Sequence, residues 1–175
     1  VEVMVELAEL LQSEKDILFQ IIGRGPRMPH LQLLVEERGL PNCQFLPFQS
    51  DEMFPLSLSA ADLGVVILDE STSKGSVPSK SYNLMSYGIP SLYVASEDSE
   101  LHDYAENYGH AKCIGHDKLD EAVDYIIALK NDPDLQEKYS QNALAASQNY
   151  RRSNADDIVE YYLETSSVEK TLVTN

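Results

Sequence analysis

Basic residues are scarce in this 175-residue chain: 13 Lys and Arg stand against 29 Asp and Glu, for a formal net charge of −16. That balance argues against nucleic acid as the partner, because duplex binding rests on neutralising phosphates, and against a broad attraction to anionic lipid. Any anionic ligand has to be held by a local cluster working against the field of the whole molecule. Cysteine occurs twice, at Cys43 and Cys113, far apart and in apolar strand-like runs. This reads as two buried reduced thiols, not a disulfide framework, and fits a cytoplasmic protein. No apolar run approaches the roughly 20 residues that cross a bilayer. No initiator Met and no leader is visible; the chain opens on VEVMVELAEL, already in helical periodicity with no strand before it, as a fragment of a longer protein would. Chemical signatures are missing as well. His30, His102, His110 and His116 lack ligand spacing with Cys or acids, so no metal is expected. Neither a G-x-S-x-G elbow, nor a G-x-x-x-x-G-K-[ST] loop, nor G-x-G-x-x-G occurs.

What is present is an ordinary globular composition, 43% hydrophobic and 24% charged, in a length that suits one domain with a proper core. Val3, Val5, Leu7, Leu10 and Leu11 make a helical stripe over residues 1–13. Short apolar runs then alternate with helical patterns. The strand-like runs are Ile17–Ile22, Cys43–Phe48, Leu63–Leu68, Ser91–Ala95 and Ala111–Ile114, of which Leu63–Leu68 is apolar throughout and reads as central in a sheet. Helices are expected over Met28–Arg38, stopped by Gly39 and Pro41; from Asp51-Glu52, capped by Ser50, to Ala60-Ala61-Asp62; from Pro78 to Gly88; over Glu97–Tyr108, ended by Gly109; over Leu119–Lys130; from Pro133 on; and over Ala155–Leu163. Residues 1–165 form the domain and 166–175 a frayed tail. Alternation of strand and helix implies βαβ units, a Rossmann-like parallel sheet flanked by helices, and right-handed crossovers.

In open sheets of this kind ligands bind beyond the carboxyl ends of the strands. That rule gathers Gly23-Arg24-Gly25, Pro47-Phe48, Asp69-Glu70 and Gly75–Lys80 onto one rim. The stretch GSVPSKSYNLMSYGIPSLYV, residues 75–94, organises the rest. A helix starting near Pro78 presents unsatisfied N–H groups and a positive dipole end, which suit a phosphate, and Lys80 in its first turn adds a point charge. The bland alternative is a plain loop–helix–strand connection. Asp69-Glu70 read equally as catalytic carboxylates and as solvated loop residues, and Arg151-Arg152 as a solvated turn.

LFQIIGRGP, ERGLPNCQFLPF, SDEMFPLSLSAADLGVVIL, PSKSYNLMSYGIPSLYV and the helical tail DEAVDYIIALKNDPDLQEKYSQNALAASQNY occur in an order that resembles one family. It is the large retaining group called family 4, and the likeness is to the C-terminal, donor-binding half of its GT-B glycosyltransferases, covering about residues 10–163. The resemblance implies a nucleotide diphosphate sugar, UDP- or GDP-linked, as donor, and no separate cofactor. The base would sit against Leu46, Pro47 and Phe48, with Gly23, Arg24 and Gly25 bordering the pocket. The diphosphate would lie at the helix start formed by Ser76, Val77, Pro78, Ser79 and Lys80. Most of the family carries two glutamates eight positions apart here; the second aligns with Asn83 and the first with Gly75 or nearby, and the PSK-type variant resembles transferases of surface-polysaccharide assembly. Asn83 can hydrogen-bond a ribose hydroxyl without charge. The family's basic pair on the pyrophosphate, its acceptor-binding half and its catalytic residues lie on chain outside this sequence, so an N-terminal acceptor-binding domain of the same protein is the implied partner. Any membrane contact, at the cytoplasmic face, would run through that half. Two other functions fit the same residues: a sugar-nucleotide epimerase of GT-B type, and a non-catalytic α/β binding domain whose site has decayed.

Overall fold

The computed structural model describes residues 2–69, 75, 77–151, 154, 156 and 159. Among them, strands and helices alternate as α1 (Val3–Leu10), β1 (Phe19–Ile22), α2 (Met28–Glu37), β2 (Cys43–Leu46), α3 (Phe54–Ser59), β3 (Gly64–Ile67), α4 (Ser79–Ser86), β4 (Ser91–Val94), α5 (Glu100–Tyr108), β5 (Ala111–Ile114), α6 (Leu119–Asn131) and α7 (Pro133–Ser147), closing on a 3₁₀ turn at Gln148–Tyr150. Of the expected helix over residues 155–163 only Asp156 and Val159 are described, both helical, and the tail at 166–175 lies outside the described residues. No helix among the described residues is long and apolar enough to cross a membrane.

Every ladder is parallel, as the βαβ pattern requires. The strands form two hydrogen-bonded groups, β1 with β2, and β3-β4-β5, where one sheet was expected. Both groups share a core: Phe19 of β1, Leu92 and Val94 of β4 and Ile114 of β5 pack in one cluster with α1, α2 and α6, and Phe45 of β2 and Val65 and Ile67 of β3 lie against it. Strand side chains alternate between faces. Accordingly Val66, Leu68, Tyr93 and Ala95 point the other way, into a second cluster with Leu84 of α4 and Leu101 and Ala105 of α5. The molecule is thus a three-layer α/β arrangement, with α1, α2 and α6 on one face and α4 and α5 on the other.

β4, not β3, is the central strand of its group; all four of its residues are buried, whereas Val65 and Ile67 of β3 stay half-exposed. Both runs are apolar, so composition cannot separate them; β4 is buried because it has a partner on each edge. Two helix starts also differ from expectation. α3 begins at Phe54 with no side-chain cap, and Ser50 instead accepts the Met53 and Phe54 N–H groups through its carbonyl. The reason is Pro55, which has no N–H to give the Asp51 carbonyl, so a helix cannot run through residue 51 with its ladder intact. α5 begins at Glu100, because Ser99 accepts the His102 N–H at 3.2 Å and makes the better cap. The thiols of Cys43 and Cys113 are free but half-buried, since both lie on outer strands; burial pushes the Cys113 thiol up to about 11.

Two anchors place the layers. The Asn42 side-chain amide donates to the Ala8 carbonyl at 2.8 Å while the Asn42 backbone carbonyl accepts the Phe19 N–H, joining α1, β1 and the start of β2. α7 starts at Pro133, where Asp132 accepts from the Asp134 and Leu135 N–H groups, as expected for Pro in the first turn.

Candidate functional site

The carboxyl ends of the strands form the rim on which the candidate residues fall. At the end of β1, the Gly23 N–H continues the ladder onto the Leu46 carbonyl at 3.1 Å, and Gly23 then turns with φ of 145°. This positive φ lets the chain leave the strand sharply, a conformation a side chain disfavours. Arg24 follows, exposed, with its guanidinium 5.0 Å from the centroid of the Phe48 ring. Phe48 stands just beyond β2 and is 65% exposed. The structure therefore brings the Gly23–Gly25 turn and Pro47-Phe48 together, as expected from the rim rule, through a cation–π contact between an arginine and an aromatic ring with an open flank. An exposed aromatic ring with a cation beside it is suited to a flat, anionic guest.

The other part of the rim is the start of α4. Pro78 has extended backbone, with φ −60° and ψ 131°, and is the cap itself, so the helix starts at Ser79 and not at Pro78 as the sequence suggested. The preorganised φ still directs the chain into the helix, while the ψ keeps Pro78 outside it. The Pro78 carbonyl accepts both the Ser81 N–H at 2.9 Å and the Ser81 hydroxyl at 2.8 Å. Ser81, Leu84 and Met85 are buried, so Ser79, Lys80 and Asn83 share the outward side of the helix. No side chain caps the first turn, and with the Ser81 N–H taken by Pro78 it is the Ser79 and Lys80 N–H groups and the dipole end that stand open to an anion. Lys80 is exposed as a residue, yet desolvation of its ammonium draws its pKa below the usual lysine value. The Asn83 backbone carbonyl accepts from the Ser86 hydroxyl at 2.8 Å and the Tyr87 N–H. Gly75 is exposed with φ of 73°; Ser76 and Glu70 lie outside the described residues.

One rim residue was not singled out as such from sequence. The imidazole of His116, just past β5, lies 2.9 Å through Nε2 from the Leu68 carbonyl at the end of β3. The signal was its position immediately after a predicted strand and Gly115, which places it on the same rim as the other candidates. Lys118 in the same turn pairs with Glu97, beyond β4, at 3.0 Å, and the hydrogen bond to Glu97 raises the lysine pKa. Among the described residues no three His, Cys, Asp or Glu side chains converge as a metal site would. A cavity of about 450 Å³ lies at the opposite, amino ends of β3 and β4, lined in part by Asp62, Tyr87, Pro90, Pro133 and Glu137. Its two carboxylates make it a poor host for an anion.

Residues 1–145 match the family described as glycosyl transferases group 1. The chain is 29% identical over 123 residues to the putative colanic acid biosynthesis glycosyl transferase WcaI of Escherichia coli (strain K12), a match covering 70% of this chain and 30% of that protein. The chain therefore spans about a third of the length of that relative. Among solved structures it resembles the catalytic domain of cholesterol-alpha-glucosyltransferase from Helicobacter pylori, with a TM-score of 0.70 at 17% identity over 86% of this chain and 89% of that one. It also resembles sucrose-phosphate synthase from Thermosynechococcus elongatus, with a TM-score of 0.72 at 15% identity over 95% of this chain and 42% of that one. WaaG, a glycosyltransferase involved in lipopolysaccharide biosynthesis, gives 0.65 at 16% over 83% and 38%. At these identities the structures speak for the fold alone.

Proposed function

The chain belongs to the group 1 glycosyl transferases, and from that footing we propose that it is the donor-binding half of a retaining transferase that moves a sugar from a nucleotide diphosphate sugar to a lipid-linked or growing surface polysaccharide. The observation that carries this reading is the uncapped start of α4 at the carboxyl rim, with Ser79, Lys80 and Asn83 on its outward side. The diphosphate lies against that helix start, Lys80 adding a cation whose partial desolvation strengthens its hold on a phosphate. Phe48, flanked by Arg24, takes the base with Pro47, and the Gly23–Gly25 turn walls the pocket. Asn83 holds a ribose hydroxyl as a neutral partner. The protein's part in the reaction is to position the donor and stabilise the leaving diphosphate. The polysaccharide acceptor is drawn from the likeness to WcaI, and the domain is placed on the cytoplasmic side, with membrane contact through the acceptor-binding half.

The same reading supplies a strand that the two ladders lack. β1→α2→β2 crosses over on the face of α1 and α6, whereas β3→α4→β4→α5→β5 crosses over on the opposite face. Right-handed crossovers on opposite faces progress in opposite directions, which fits an order in which the two ladders grow outward from β1 and β3. α1 lies on the α2 face. In that order a strand preceding α1 would fall beside β1 on the side away from β2, between β1 and β3. Its carboxyl end would stand where the strand order reverses, the usual place for a ligand in such sheets. The chain on its own is accordingly proposed to bind nucleotide weakly and to catalyse nothing.

Calorimetric titration of the full-length protein with UDP, GDP and ADP tests the reading. One nucleotide should bind saturably, with affinity reduced about tenfold by Lys80→Ala, the loss of a charge-assisted phosphate contact, and less by Asn83→Ala. Absence of binding to all three would favour the non-catalytic alternative.

A further inference from the structure

We propose that His116 is a positioning residue of the donor site, holding the exit of β3 in the direction that leads to the start of α4. The inference rests on the donor-site reading above and adds a residue to it. The β3–β4 ladder ends with the Leu68 N–H on the Val94 carbonyl at 2.9 Å. From there the chain must leave the sheet and reach Pro78. The direction of departure is set by the plane of the Leu68–Asp69 peptide, and the carbonyl of that peptide is held by the His116 Nε2 at 2.9 Å. Since a carbonyl only accepts, Nε2 carries the hydrogen.

The order β3-β4-β5 means that the ring, rooted beyond β5, reaches over the end of β4 to find Leu68. The turn that presents it is itself held. The Lys118 N–H returns to the Gly115 carbonyl at 3.1 Å. Lys118 is tied to Glu97. Asp117 folds back over Gly115, where an added Cβ would stand 2.7 Å from its carboxylate oxygen. His116 is half-buried and Leu68 is buried, so water competes poorly for the carbonyl. The turn after β5 thus reaches the β4–α5 connection through Lys118 and the end of β3 through His116, and only the second link bears on the chain that runs to the anion-binding helix.

The test compares His116→Gln with His116→Asn in the full-length protein. The glutamine amide nitrogen reaches about as far as Nε2, whereas the asparagine nitrogen reaches only as far as Nδ1, so glutamine alone can remake the bond. Both variants are titrated with UDP and GDP well below their unfolding transitions. There each is fully folded, and a bond that merely fastens the loop would lower the melting midpoint without touching affinity. The expected result is H116Q within about twofold of the parent and H116N about fivefold weaker, the size of one lost hydrogen bond. Equal affinity in H116Q and H116N, whatever their midpoints, would overturn the assignment. A parent protein that binds none of UDP, GDP and ADP would sink the donor-site reading and this one with it, whereas a parent that binds while the two variants match it sinks the role of His116 alone.

Discussion

His110 is fully buried, its Nε2 2.8 Å from the Tyr93 hydroxyl and its Nδ1 without a hydrogen-bond partner. Desolvation pulls its pKa down to about 4 from the usual 6.5. The sign follows from counting protons. Between those two values the unfolded chain carries the proton and the folded one does not, so stability is fully present above the unfolded value and is lost as pH falls toward the folded one. The loss amounts to about 2 kcal/mol by pH 5. Thermal unfolding at a series of pH values should show it, and His110→Phe, which cannot titrate, should flatten the slope over that interval. An unchanged slope would mean that the ring is protonated inside the fold. From the sequence, His110 was weighed only as a metal ligand, because spacing along a chain says nothing of what surrounds a side chain once β4 and β5 pair.

At the scale of elements, α4 is held between the sheet and α7, and two glycines set how closely. Gly64 on β3 lies directly under the Leu84 side chain, leaving no room for a Cβ. Gly88, which ends α4 with φ of 66°, would put a Cβ 2.9 Å from Leu144 and 3.1 Å from Ser140 of α7. Gly39 has nearly the same φ, 61°, but nothing within 4 Å. Gly39→Ala should therefore cost about 1 kcal/mol for the backbone alone, and Gly88→Ala about 2 kcal/mol or more, because α7 must also move. Urea unfolding of the pair gives the difference directly, and equal losses would show that α7 yields freely. The stop at Gly88 was legible from sequence, since glycine is the usual residue past a helix end. That α7 rests on it was not, since that depends on a helix 45 residues farther along the chain.

For the whole molecule the sharpest expectation concerns the inner edges. The Phe19 and Gly23 N–H groups bond to β2, and those of Gly64 and Leu68 bond toward β4. N–H groups alternate in direction along a strand, so Gln20, Ile22, Val65 and Ile67 direct theirs away from β2 and β4, to the side where the proposed order puts a preceding strand. If a strand from the preceding chain seats there, amide exchange at those four positions should slow by orders of magnitude in the full-length protein relative to residues 1–175, while Phe19, Gly23, Gly64 and Leu68 change little. Uniform slowing at all eight would indicate general stabilisation and would count against the inserted strand. β3 is paired on one edge only, and that leaves Val65 and Ile67 half-exposed on an otherwise apolar strand.

The sequence by itself determined which segments are strands and helices, that the strands run parallel, and which loops stand at their carboxyl ends. Each of these follows from local pattern: short apolar runs, glycine and proline stops, and the handedness of L-amino-acid chains. Tertiary structure alone decided that β4 and not β3 is central, that the ladders are two, that Arg24 covers Phe48, and that His116 reaches Leu68. Those facts depend on which edges pair and which loops meet after pairing, and such contacts join residues up to 48 positions apart. No periodicity within a segment encodes them.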